Sequence, residues 1–182
     1  MPTFRKLNRR QIEFIRDQKI FFVGTAAPEG RVNISPKGAD TLRVLDGNRI
    51  RWMSLSGSGN ETAGHLKALN RITMMFCAFE GAALILRCYG MARVIHPRDA
   101  DWAEAIADFP EMAGTRQVFD VTVDLVHTSC GTGVPLMAYG GERAGEDLLP
   151  FYDEMGPEGL QDYWRKKNVE TIDGLPTGLF ED

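Results

Sequence analysis

The turns constrain this chain more than any other feature, because most of its apolar segments are joined by links too short to hold a helix. Asp46-Gly47-Asn48 separates residues 41–45 from residues 49–55, Pro28-Glu29-Gly30 separates residues 19–26 from residues 31–36, and Glu80-Gly81 separates residues 71–79 from residues 82–95. Gly, Pro, Asn and Asp supply the backbone conformations that tight turns need, and the flanking runs are β-branched or aromatic. A parallel pair needs a crossover of about a dozen residues or more, so links this short predict antiparallel hairpins. With a further alternating run at 117–126 (Val118, Val121, Val123, Leu125), the pattern gives six or seven strands. A doubly wound sheet would need a helix after nearly every strand, so an antiparallel barrel of the α+β class is predicted.

Helices fall at the margins of this pattern. Asn8 and Gln11 have capping-box spacing ahead of Ile12 and Ile15, and residues 60–69 form the one helix expected between strands. Pro97 and Asp99 open a short helix that turns Trp102, Ile106 and Phe109 inward. After Val126 the chain becomes glycine-rich and irregular, and residues 157–167 predict a terminal helix with Leu160 and Trp164 on its apolar side. The chain therefore divides into a barrel domain, 1–130, and an extension, 131–182, whose helix packs on the barrel or on a partner subunit.

At 182 residues the length suits one such domain plus its extension. A net charge of −4 provides no field for gathering nucleic acid or anionic lipid. No apolar run approaches the roughly 20 residues needed to span a bilayer, and the first ten residues lack the apolar core of a signal peptide. The three cysteines cannot all pair, and Cys77 and Cys88 lie in apolar runs where cysteine acts as a small hydrophobe. A cytoplasmic protein is the expectation.

Two segments carry candidate chemistry. In Leu55-Ser56-Gly57-Ser58-Gly59-Asn60-Glu61-Thr62, glycines allow close backbone approach, hydroxyls add donors, and a helix starting at Asn60 offers its free amides and positive dipole end. That chemistry suits a phosphate, although a capped strand-to-helix turn would use the same residues. In Arg31-Val32-Asn33-Ile34-Ser35-Pro36-Lys37-Gly38, alternation puts Asn33, Ser35 and Lys37 on one face. These could hydrogen-bond a heterocycle and neutralise an anion, or simply face solvent on an edge strand. Cys130, with His127 three residues before it, presents a thiol and an imidazole, but no second ligand pair appears at zinc spacing and no metal site is expected. His65 and His96 read as surface or packing residues. Catalytic-triad order, a Walker loop and a dinucleotide fingerprint are all missing, so no catalytic residue is assigned.

Several of these stretches together resemble the pyridoxamine 5'-phosphate oxidase-like family. They are Arg31 to Lys37, Arg51 to Thr62, Asn70-Arg71-Ile72-Thr73-Met74-Met75-Phe76, and Leu86-Arg87-Cys88-Tyr89-Gly90-Met91-Ala92-Arg93-Val94. The resemblance runs in order from about Leu7 to Val126 and implies an α+β fold: an antiparallel six- to seven-stranded split β-barrel with peripheral helices. It implies a homodimer with FMN at the interface and oxidoreductase activity on a small molecule. Asn33, Ser35 and Lys37 would line the flavin side, and Leu55 and Ser56 would contact its ring or ribityl chain. Ser58 belongs to the phosphate loop. Asn60, Glu61 and Thr62 stand where the family carries a Ser-Arg-Lys phosphate clamp, so Glu61 reverses an expected charge. Arg71, Arg87 or a partner residue would then have to compensate, or the cofactor would be a deazaflavin. The tail lacks the family's Arg-x-His substrate clamp, which disfavours pyridoxamine phosphate as substrate. A non-enzymatic flavin- or haem-binding carrier or sensor is the competing expectation.

Overall fold

The structure is a computed structural model and describes residues 2–181. Eight strands and four α-helices follow the chain as β1 (Thr3–Phe4), α1 (Arg9–Asp17), β2 (Phe21–Thr25), β3 (Asn33–Lys37), β4 (Leu42–Val44), β5 (Arg49–Leu55), α2 (Glu61–Ala68), β6 (Ile72–Cys77), β7 (Ile85–Ile95), α3 (Trp102–Ile106), β8 (Thr115–Ser129) and α4 (Leu149–Lys167). Seven strands make one antiparallel sheet in the order β3-β2-β6-β7-β8-β5-β4, and the two-residue β1 pairs with β8. The seven strands and their pairing sense follow the hairpin pattern of the sequence.

The sheet cannot be flat. Its outermost strands, β3 and β4, are consecutive in the chain, and only residues 38–41 join them. Seven strands spaced about 4.8 Å apart would separate flat edges by roughly 29 Å, whereas the five steps from Lys37 to Leu42 reach at most about 18 Å. The edges are therefore drawn together and the sheet curls into a split barrel. Thr41 secures the crossing by donating to the Gly38 carbonyl at 2.7 Å, and its own carbonyl accepts from the Met53 amide.

Curling defines an inside. Phe21, Val23, Ile50, Trp52, Ile72, Met74, Phe76, Leu86, Cys88, Phe119, Val121 and Val123 fill it, and α1 and α2 contribute Ile15, Ala63 and Leu66. Phe21 meets Trp52 edge-on and Phe76 face-on, while Trp52 stacks on Phe119 with centroids 4.5 Å apart. Helix α1 starts at the capping box foreseen from Asn8 and Gln11. The buried thiols behave as hydrophobes: burial raises the Cys77 pKa and pushes Cys88 up to about 12. On the opposite side of β8, Ile95, Ala105 and Val118 form a second cluster with Trp102 and Ile106 of α3. Strand β5 and the first half of β8 are buried on both faces, which accounts for their nearly continuous burial.

The extension is more ordered than its composition suggests. One π-helical turn (Ala144–Leu148) leads into α4, which starts at Leu149 rather than near residue 157. Gly156 (φ 66°) breaks α4 and Pro157 restarts it, so the sequence pattern reveals only the second half. Both halves dock on Ser56. The Tyr152 hydroxyl donates to its carbonyl at 2.8 Å, and Trp164 Nε1 donates to its Oγ at 2.7 Å. Among the described residues, no helix is long and apolar enough to cross a membrane.

The register of β7 on β8 slips between Tyr89 and Gly90, where the two backbones crowd together. A methyl group at Gly90 would fall inside the van der Waals contact distance of the Thr122 carbonyl oxygen, and the nearest atoms are all β8 backbone, which cannot swing aside as a side chain could. Gly90→Ala should therefore destabilise the fold by about 3 kcal/mol or more, measured as a shift of the urea midpoint at unchanged m-value.

Candidate functional site

A cavity of about 600 Å³ opens where β3, the 57–59 loop, the first turn of α2, the start of β8 and the end of α4 converge. Strand β3 delivers Asn33, Ser35 and Lys37 to it on alternate positions, and the loop and helix start deliver Ser58, Asn60, Glu61 and Thr62. Seven of the nine site residues named from sequence thus share one cavity. Leu55 and Ser56 do not line it. Leu55 sits in the ladder opposite Thr115, and Ser56 spends its hydrogen bonds on Gly114, Tyr152 and Trp164.

The polar groups of the wall are held in order. Gln117 Nε2 donates to Asn60 Oδ1 at 2.8 Å, so the Asn60 side chain turns away from the helix and caps none of its amides. Asn33 Nδ2 lies 3.3 Å from both Thr25 Oγ1 and Thr62 Oγ1, and buried His65 reaches the same Thr25 hydroxyl through Nδ1 at 3.2 Å. Both carboxylate oxygens of Glu61 accept from the Ile172 amide, at 3.1 and 3.2 Å. Glu61 therefore lines the cavity with its charge engaged by the tail.

Arg116, the second residue of β8, is a buried cation that no local sequence pattern marks as a site residue. It is 4% exposed and lies in the cavity wall. Nη1 donates to the Gly59 carbonyl at 3.1 Å and to Asn168 Oδ1 at 2.6 Å, and Nη2 lies 3.4 Å from Ser54 Oγ. All these partners are neutral, and Nε has no partner at all. A buried guanidinium without a carboxylate is costly, and burial lowers its pKa to about 10. Lys37 shares the cavity. Burial first, and then repulsion from Arg116, lower its pKa from 10.5 to about 8. Its ammonium lies 5.1 Å from the centre of the Trp52 ring. Trp52 and Phe119 add an apolar wall, and Lys167, Glu170, Thr171 and Ile172 close the side nearest the tail.

A cavity with two cations that pair with no carboxylate among the described residues, with hydroxyls and with a helix start that no side chain caps, has the chemistry to hold an anion. Arg71 and Arg87 lie outside it: Arg71 is exposed, and Arg87 donates to Ser129. The other residues of interest stand apart. Burial together with Arg98 lowers the His96 pKa to about 4, and hydrogen bonding to Thr132 lowers that of the exposed Cys130. Among the described residues, no group of three or more His, Cys, Asp or Glu side chains could hold a metal ion.

Known proteins share this architecture. The sequence profile of pyridoxamine 5'-phosphate oxidase matches residues 7–130. The pyridoxamine 5'-phosphate oxidase family protein ustO of Aspergillus flavus is 30% identical over 193 residues, covering 97% of this chain and 78% of that protein. Among solved structures, a Lactobacillus delbrueckii protein assigned as a pyridoxamine 5'-phosphate oxidase superposes with a TM-score of 0.55 at 17% identity, over 70% of this chain and 99% of its own. HupZ of Group A Streptococcus gives 0.53 at 18% identity, over 72% and 99%. At such identities these two structures establish a shared fold. Strand order, profile and the Aspergillus flavus relative agree: the chain belongs to the pyridoxamine 5'-phosphate oxidase family.

Proposed function

We propose that this protein is an FMN-binding oxidoreductase that holds the cofactor in the cavity between β3, the 57–59 loop and α4. The observation that carries this reading is Arg116, a buried cation with neutral partners and an unpartnered Nε in the cavity wall. Leaving such a group without an anion is unfavourable, and a phosphate beside it, with Lys37 on another side, would offset that cost. When bound, FMN supplies the redox chemistry; the protein's part is to bind, orient and shield. Thr62 and Ser58 offer hydroxyls, and α2 offers amides that no side chain caps. Asn33 and Ser35 face the cavity from β3, and the buried Trp52 and Phe119 form its apolar base. About 600 Å³ lies within the usual size range of cofactor sites.

The same reading has the protein acting in the cytoplasm as a homodimer, with the cofactor near the interface. Edge strand β3 supports this, because Val32 just before it and Ile34 within it are 69% and 70% exposed, next to an unpaired ladder edge. The physiological substrate would be a small redox-active molecule.

The purified protein should show a flavin absorbance band, or quench FMN fluorescence on titration; failure of both overturns the proposal. Reduction of the bound flavin by NADH or NADPH separates an enzyme from a carrier, since a carrier's flavin would stay oxidised. Lys37→Ala and Thr62→Ala should weaken FMN binding, the lysine variant by about 1.5–3 kcal/mol for the loss of a charge-assisted contact.

Lys37 also sets a pH signature. Folding lowers its pKa from 10.5 to about 8, so between those values the unfolded chain binds the extra proton. The ligand-free protein should therefore gain stability from Lys37 as pH rises from 8 to 10.5, a contribution that Lys37→Met should remove in denaturation curves taken across that range. Anion binding has the opposite dependence. It favours the charged lysine, so affinity should fall above pH 8 and binding there should take up protons, as read by calorimetry in buffers of different ionisation enthalpy.

A further inference from the structure

The phosphate loop carries Glu61 where the family resemblance calls for a cation, and the structure shows what that carboxylate does. It accepts the Ile172 amide with both oxygens. Ile172 lies near the tip of a short hairpin after α4, closed by the Glu170–Pro176 bridge and by the Thr171 amide bonding to the Leu175 carbonyl. The hairpin has a second anchor, because Asp173 accepts from the Arg31 amide at 2.7 Å and pairs with the Arg31 guanidinium. Its base is fastened by Asn168, which is fully buried, donates to the Gly57 carbonyl at 2.9 Å and accepts from Arg116. Gly64 of α2 leaves room for Thr171 to pack directly against the helix. Lys167, one residue before Asn168, therefore lines the cavity, and among the described residues it pairs with no carboxylate.

We propose that the anion clamp of this chain is divided between loop and tail: Lys167 supplies the cation that the loop lacks, and Glu61 anchors the hairpin that holds Lys167 in place. This rests on the reading of the cavity as an anion site. It identifies two roles that distance from the ligand alone would not reveal, one for a tail lysine outside the family-matched residues 7–130 and one for an acid beside an anion. The two roles also predict a sign. By Coulomb's law alone, removing the Glu61 charge from the cavity strengthens anion binding. If Glu61 is an anchor, its removal loosens the hairpin and weakens binding.

The test measures FMN affinity by fluorescence quenching, and amide exchange across residues 168–176 on the same samples, for the wild type, Glu61→Ala, Glu61→Gln and Lys167→Met. Glu61→Ala should speed exchange in the hairpin without ligand and lower affinity by about fivefold or more, with Glu61→Gln intermediate because its amide oxygen can still accept. Lys167→Met should lower affinity about as much while hairpin exchange stays at the wild-type rate. Unchanged or tighter binding in Glu61→Ala, wild-type exchange in that variant, or unchanged affinity in Lys167→Met would overturn the proposal. If the wild type binds no FMN, the cofactor reading fails by itself, and inorganic pyrophosphate becomes the probe. Slowed hairpin exchange in the wild type but not in Glu61→Ala then upholds the divided clamp, and no slowing in the wild type refutes it.

Discussion

The short crossing between β3 and β4 governs the rest of the molecule. Four residues tie together the two outer edges of a seven-stranded sheet, and this link is too short for any flat arrangement. Curvature then follows from chain geometry, with side-chain packing filling the space that the curve encloses. The same crossing sets the cavity, because it places Lys37, the last residue of β3, over the Trp52 ring of β5 although four strands separate the two in the sheet order. The cavity wall thus draws on both sides of the split.

Arg116 and Ser56 divide the work around that cavity. Ser56 is engaged within the protein: its amide, carbonyl and hydroxyl all have partners, and both halves of α4 close on it through Tyr152 and Trp164. Arg116 is held by neutral groups from the loop, the tail and β5, which fix its position without cancelling its charge. A carboxylate in place of Asn168 would satisfy the guanidinium and remove the reason for the cavity to attract an anion.

Much of this was legible in the sequence. Turn residues at short spacing specify the hairpins, and period-two alternation puts Asn33, Ser35 and Lys37 on one face. Arg116 is not legible because it adjoins an apolar run where one cation resembles a strand boundary; in the structure it is the unpaired residue at the irregularity where β8 passes Ser54 and Leu55. Ser56 is the opposite case. A serine in a glycine-rich loop has the composition of a ligand contact, and only the docking of α4, about 100 residues away in sequence, shows that its hydrogen bonds are taken. The first half of α4 was hidden by the Gly156-Pro157 break, which interrupts the helical period. Local pattern thus specified the strands, and long-range closure specified the site.

The hairpin after α4 has a consequence for how such a protein can diversify. Glu170, Thr171 and Ile172 contribute to the cavity wall without forming a rung of the main sheet, and Ile172 is 72% exposed. Exchanging a side chain at Glu170 or Ile172 leaves every strand pair and every aromatic contact of the barrel in place, unlike a change in β3 or β5. The tail is therefore the segment through which heritable variation can alter what the cavity accepts at least cost to folding.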